Sequence, residues 1–248
     1  MLMLSTKQDA SLSQDTISIG GHGQAKEIIG RFLRNRAAVF GMVVVLFLLF
    51  CAIFPQALTQ YDPIEQNLRD RFAAPSAEHF FGTDEYGRDI FSRVIYGCRT
   101  SMEIGLISVA ISCIIGVVIG AIAGFYGGIT DNLFMRFIDV LMAIPNTLLG
   151  ISIVAALGNS IPNLIIALSI GSIAGYARVV RVSVLSTKGT EYVEAAYATG
   201  ASDFRIIFKY ILPNCLAPII VQATMSVATT IMAATGLSFL GLGVPAPT

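Results

Sequence analysis

Four long stretches without a single charged side chain dictate what this chain can fold into. They lie between Arg36 and Asp62, between Glu103 and Asp131, between Asp139 and Arg178, and from Tyr210 to Thr248. A helix crosses the apolar core of a bilayer with about 20 residues, and each stretch exceeds that. The third is nearly twice as long, and Gly158-Asn159-Ser160-Ile161-Pro162-Asn163 divides it with turn-forming residues into two crossings. The pattern predicts an all-α fold, a polytopic transmembrane helical bundle with five spans. Composition agrees, since 54% of the 248 residues are hydrophobic and 13% charged, against about 25% charged in soluble domains. The 16 basic and 16 acidic side chains cancel, which argues against a nucleic-acid partner and makes charge placement the informative quantity.

Lys26, Arg31, Arg34 and Arg36 precede the first span, while only Arg69 and Arg71 follow it closely. The positive-inside bias therefore puts the N-terminus in the cytoplasm. Residues 1–25, rich in Ser, Gly, Gln and Asp, read as a mobile cytoplasmic tail without a cleavable signal. Residues 26–57 read as the first span with its basic flank, 58–100 as an extracytoplasmic loop, and 101–248 as a core of four spans. Arg178 and Arg181 mark the exit of the fourth span, and Lys188, Arg205 and Lys209 extend that basic excess through a polar segment, 187–214, placed in the cytoplasm by the count of crossings.

Inside the spans, Gly116, Gly120 and Gly124 share one helical face and permit close approach of another helix in lipid. Packing within this chain is the preferred reading over a dimer seam. Pro145 and Asn146 interrupt the third span, where a kink frees backbone groups that need partners in protein or in a wet pathway. They are pathway candidates, although kinks serve packing equally often. Arg136 and Asp139, three residues apart, are expected to pair. The glycine-studded stretch from Gly236 to Gly243 is expected to form a short re-entrant piece outside.

The polar segment carries a local pattern of its own. Thr190 can cap a helix whose first turn holds Glu191 and Glu194, where the helix dipole favours anions, and which should run to about Thr199. Gly200 can then adopt positive φ and end it. Ser202 and Asp203 can start a second short helix through Ile211, and Leu212-Pro213 suits the first turn of whatever follows. Glu194-Ala195-Ala196, Gly200 and Leu212-Pro213 at these offsets resemble the EAA loop of membrane subunits of bacterial ATP-binding cassette importers, with Tyr210 where that pattern prefers Ile. A second stretch narrows the resemblance. Tyr61-Asp62-Pro63 and Phe81-Gly82-Thr83-Asp84-Glu85-Tyr86-Gly87-Arg88-Asp89-Ile90-Phe91-Ser92-Arg93 resemble a signature of the C-type permeases for dipeptides, oligopeptides and nickel. For Gly82, Thr83, Asp84, Gly87, Arg88 and Asp89, tight turns and a local ion-pair network make a role in folding the loop at least as well founded as substrate contact.

The resemblance implies the type I importer permease fold with six spans, of which five are expected here, the chain then ending before a sixth and its unaided function being in doubt. It implies a bacterial cytoplasmic (inner) membrane location and four kinds of partner: a second, B-type permease, two ATPase subunits, an extracytoplasmic substrate-binding protein and the lipid bilayer. The implied cargo is di- or oligopeptides, or nickel complexes and peptide-like solutes. Glu191, Glu194, Ala195, Ala196, Gly200, Leu212 and Pro213 would form the ATPase-coupling element, with Ala195, Ala196 and Ala198 offering a low-profile surface and the two glutamates meeting basic groups.

Elementary chemistry is consistent with this. No Gly-x-x-x-x-Gly-Lys-Ser/Thr loop occurs, so no cofactor is expected in this chain and ATP would be bound by the partner subunits. No catalytic or metal constellation stands out. Cys51, Cys98, Cys113 and Cys215 read as small core residues, and His22 and His79 as solvated surface. An ion-coupled secondary transporter or channel would be marked by a carboxylate in mid-span, whereas Glu103, Asp131 and Asp139 stand near span ends.

Overall fold

The computed structural model describes residue 30 and residues 32–244. The expected N-terminal tail and His22 lie outside that range. Two compact units are distinguished among the described residues, divided between Phe50 and Cys51. The first contributes most of helix α1, Arg36–Ile53. Its apolar side chains, among them Phe40, Val43, Leu46 and Phe47, are exposed, as suits a helix surrounded by hydrocarbon.

The second unit opens with a single turn, α2 (Pro55–Leu58), followed by an irregular segment containing a short 3₁₀ turn, Leu68–Asp70. Helix α3, Ile90–Tyr126, then runs for 37 residues, about 55 Å. It starts well inside the segment read as a loop over 58–100, because Asp89 caps it through the Ser92 amide at 2.7 Å. Gly127 and Gly128, both at positive φ, turn the chain into α4 (Gly128–Ala143), and α5 (Asn146–Leu157) follows. Helix α6, Ile161–Lys188, begins at Ser160, whose hydroxyl caps Asn163, and carries Pro162 in its first turn.

Helices α3 and α6 form the spine of this unit. A Cβ on Gly120 would lie 2.4 Å from the Ala177 carbonyl oxygen, one on Gly116 2.4 Å from Tyr176 Cβ, and one on Gly124 3.0 Å from the Arg181 carbonyl oxygen. The three glycines thus meet α6 of the same chain, with backbone against backbone. Polar contacts add to the seam: Ser169 Oγ, which bonds the Ile165 carbonyl at 2.7 Å, also reaches the Ser108 carbonyl on α3 at 3.3 Å, and Ser108 Oγ reaches the Ile165 carbonyl at 3.4 Å.

Several elements depart from the sequence expectation. The third span is broken, with α4 and α5 meeting at 86°. Pro145 has no N–H to give and pushes Ile144 into the extended region, φ −92° and ψ 123°. Among the described residues four helices are long and apolar enough to cross a membrane, and α4 with α5 makes a fifth if the bent pair counts as one span. Asp139 takes Arg178 of α6 at 2.6 Å, not Arg136, and Asp131 takes Arg181 in a two-pronged pair. An acid at a helix seam is better served by a planar guanidinium opposite it than by a neighbour on its own helix. The last helix runs on to Phe239 and takes in the start of the glycine-studded stretch, with Leu237 buried beside Gly150 of α5; after Gly241, at φ +76°, Leu242 and Val244 pack back against the cluster that holds Leu237.

Candidate functional site

The 187–214 segment is anchored by apolar side chains and leaves its charges outside. Helix α7, Glu191–Ala198, buries Val193 and Ala196 in a cluster with Ala121 and Phe125 of α3, Val180 and Val184 of α6, and Ile206, Ile207, Ile211 and Cys215. Glu191, Glu194, Ala195 and Ala198 are exposed. Ala196 therefore offers no surface to a partner: three residues from Val193, it belongs to the inward stripe. Thr190 occupies the N-cap position, but its hydroxyl donates back to the Thr187 carbonyl at 2.7 Å instead of capping α7.

The C-terminus of α7 closes as a Schellman motif. The Gly200 amide donates to the Tyr197 carbonyl at 2.9 Å and the Ala201 amide to the Ala196 carbonyl at 3.1 Å. This needs the left-handed conformation, and Gly200 has φ +75°. Tyr197 stacks on Phe125 with centroids 6.1 Å apart, and Lys188 Nζ donates to the Phe125 carbonyl. Burial pushes the Tyr197 phenol above its ordinary value, and Asp203 and Tyr126 nearby add to that.

The second half of the segment is no separate short helix. One α-helical turn, α8 (Asp203–Arg205), passes into a π-helical stretch, Ile206–Ile211, a 3₁₀ turn, Leu212–Cys215, and then α9, Leu216–Phe239, with no break in the chain's helical course. Pro213 explains the widening, because its ring displaces the carbonyl one turn back and a π turn absorbs the misfit. Asn214 Nδ2 donates to the Tyr210 carbonyl at 2.7 Å, serving a backbone group near the irregularity. Leu212 packs against the α7 cluster, whereas Pro213 is exposed.

The signature loop, at the opposite end of α3, uses its charges internally. Asp84 accepts from Arg88 Nε at 2.7 Å, Arg93 Nη1 at 2.6 Å and the amides of Tyr86 and Arg88 at 2.8 and 3.0 Å. Burial raises its pKa, but the amides of Arg88 and Tyr86 and the Arg88 guanidinium outweigh it and hold the carboxyl at about 2. Asp89 is likewise kept below the usual range, burial being outweighed by the hydroxyl and amide of Ser92 and by His79. Thr83 accepts from the Ala73 amide at 2.8 Å and donates to the Asp70 carbonyl. Gly82 and Gly87 have φ +73° and +72°, and a Cβ on Gly87 would sit 1.8 Å from the Asn67 carbonyl oxygen. His79 is not solvated surface: it is half-buried, bonds Asp89 at 2.9 Å and faces the Tyr61 ring at 4.8 Å.

Pro145 and Asn146 stand at the α4–α5 break. Asn146 lines a recess of about 90 Å³ with Thr147, Gly171, Ser172, Thr229 and Thr230. Among the described residues no group of His, Cys, Asp and Glu could hold a metal ion.

Comparison with known proteins decides what this arrangement belongs to. Residues 116–248 match the family described as binding-protein-dependent transport system inner membrane component, and residues 23–75 match the N-terminal TM domain of oligopeptide transport permease C. A dipeptide transport system permease protein of Alkalihalophilus pseudofirmus is 44% identical over 90% of this chain and 73% of its own. A di/tripeptide permease of Pseudomonas aeruginosa is 43% identical over 90% and 76%. An oligopeptide permease of Bacillus subtilis is 40% identical over 90% and 73%. The chain belongs to this permease family. It is a membrane-embedded transport subunit of the ATP-binding cassette class and not an enzyme.

Within the permease, sequence reasoning missed three features that the structure supplies. His79 and Asp89 are ten positions apart in an irregular loop, so no periodicity joins them. Arg178 and Arg181 read as positive-inside markers, while they also tie α6 to α4 through Asp139 and Asp131. Val193, conspicuous only as an isolated apolar residue among acids, is the anchor of α7.

Proposed function

We propose that this permease works in an importer for di- or oligopeptides, paired with a second, B-type permease, two ATPase subunits that bind the ATP, and an extracytoplasmic substrate-binding protein. The peptide cargo is the one named for the similar permeases. The membrane is the bacterial inner membrane, with the N-terminus and the 187–214 segment in the cytoplasm and the signature loop outside.

One observation carries the coupling role: an exposed face of Glu191, Glu194, Ala195 and Ala198 is held rigidly by buried Val193 and Ala196. A partner that moves this face moves the ends of α3 and α6 with it, because the anchors share one cluster with Phe125 and Val184. The continuous course from Asp203 into α9 gives the same push a second route into the bundle. ATP hydrolysis elsewhere then shifts the population of bundle conformations, with no chemistry on the solute.

Copurification of the chain with its partner subunits, followed by identification of the ligand on the binding protein, tests assembly and cargo together. Recovery without ATPase subunits, or a ligand other than a peptide, would overturn the corresponding half. Orientation is checked with single cysteines replacing Glu78 and Glu194 in a background lacking the native four. A membrane-impermeant reagent should reach position 78 in spheroplasts and position 194 only in inverted vesicles; the reverse pattern sinks the topology.

A further inference from the structure

The 86° break between α4 and α5 leaves the N-terminus of a 12-residue helix at the wall of a recess within a membrane-spanning bundle. Its first turn has no side-chain cap. The Leu149 amide returns to the Pro145 carbonyl, while the amides of Asn146, Thr147 and Leu148 find no acceptor among the described residues. Asn146 and Thr147 line the recess, and Ser172 of α6 and Thr229 and Thr230 of α9 complete its polar side.

Thr230 is the second, independent sign of a ligand. It is 3% exposed, it lines the same recess, and its hydroxyl has no hydrogen-bond partner among the described residues, whereas Thr229 and Ser172 bond carbonyls of their own helices. That hydroxyl is therefore free to donate to whatever enters the recess it lines. No acid, Lys or Arg lines the recess. Its electrostatic character therefore comes from the helix N-terminus, the Thr230 hydroxyl and the Asn146 side-chain amide, which favour an anion in low dielectric.

We propose that this recess is a carboxylate subsite, taking the C-terminal carboxylate of a peptide in transit. The proposal rests on the peptide-import reading above. Donors without a fixed cation suit a station that must release its occupant, since the attraction is modest. The wall formed by Thr229 and Thr230 belongs to α9, which continues from the 187–214 segment. Motion of that segment thus assembles or divides the subsite, and hold and release follow the same stroke.

The test uses the complete transporter reconstituted in vesicles with all partner subunits. Uptake of a dipeptide and of the same dipeptide as its C-terminal amide is measured for the wild-type chain, Thr230→Val and Thr230→Ser, at concentrations saturating the binding protein. The free acid is expected to move faster in the wild type. Thr230→Val should lower its uptake about fivefold, the scale of one buried hydrogen bond, and bring the acid-to-amide ratio toward one. Thr230→Ser, which keeps the hydroxyl, should restore the ratio. An acid-to-amide ratio in Thr230→Val equal to that of the wild type, whether total uptake is unchanged or both compounds fall together, overturns the subsite and leaves peptide import standing. Uptake of neither compound by the wild-type complex overturns the peptide reading, and the subsite with it.

Discussion

The two polar inserts of this permease sit at opposite ends of α3 and are stabilised in opposite ways. In the signature loop, Asp84, Arg88, Arg93, Asp89 and His79 satisfy one another, so charge folds the loop. In the 187–214 segment, Val193, Ala196, Ile206 and Ile211 do the folding. Glu191 and Glu194 are exposed there and make no ion pair among the described residues. Polar residues alone therefore do not mark a contact surface. What marks it is charge left unspent on a helix whose position is fixed by something else.

The largest test of that contrast is Asp84→Ala. It strands the Arg88 guanidinium, whose side chain is 11% exposed, and takes from Arg93 its 2.6 Å contact. Removing one member of such a network costs about 3 kcal/mol. The expected outcome is a loop that opens to proteolysis around residues 67–93 and a sharp drop in folded protein recovered from membranes. Recovery at the wild-type level, with the loop still resistant, would mean that charge is not what folds it.

Gly200→Val probes the other insert and should act on transport more than on folding. A Cβ at Gly200 meets no atom within 4 Å, so space is not the obstacle. The obstacle is φ +75°, which a β-branched residue adopts at a cost of about 1–2 kcal/mol. The Schellman closure loosens and α7 loses its fixed angle to the π-helical stretch. Membrane levels should hold while ATP-driven uptake falls about tenfold, the kinetic equivalent of losing roughly 1.4 kcal/mol of coupling. Unchanged uptake and unchanged stimulation of ATPase would remove α7 from the coupling path.

How much of this could be read from sequence divides along the same line. Helix α7, its glycine stop and the spans were legible because each rests on neighbours within a turn or two: acids early in a helix, a residue free to take positive φ, an uncharged run of sufficient length. The 86° angle was not, since Pro145 announces a break while the direction of α5 depends on partners such as Leu237 beside Gly150. Asp139 with Arg178 was not, because that pair exists only after α4 lies on α6. Ala196 misled in a more instructive way. A small residue reads equally well as a surface for a partner or as a close-packed core position, and only the burial of Val193 three residues earlier decides between them.

A finer test reverses unspent charge. Glu191→Lys with Glu194→Lys should leave the fold alone and weaken association with the ATPase subunits about fivefold at low salt, converging with the wild type as salt rises. Glu78→Lys on the signature loop is the control, as Glu78 is also exposed and forms no ion pair among the described residues. It should not change ATPase copurification. Equal effects from both reversals would show that net charge, and not the α7 surface, governs association.

The smallest effect follows from protonation. Burial alone would raise the Asp84 pKa, but the Arg88 and Tyr86 amides and the Arg88 guanidinium hold it at about 2 against an ordinary 3.8. The folded loop thus binds that proton less readily than the unfolded chain, so the stabilisation is complete above about pH 4 and is lost as pH falls toward 2. Asp89, also depressed, acts in the same direction. The apolar anchors Val193 and Ala196 have no proton to gain. Amide hydrogen exchange in detergent, corrected for the intrinsic pH dependence, should accelerate across residues 82–93 between pH 4 and 2, while the α7 amides keep their protection. If both segments lost protection together, a shared collapse of the bundle would account for the acid response, and the division between a charge-built loop and an apolar-anchored one would fail.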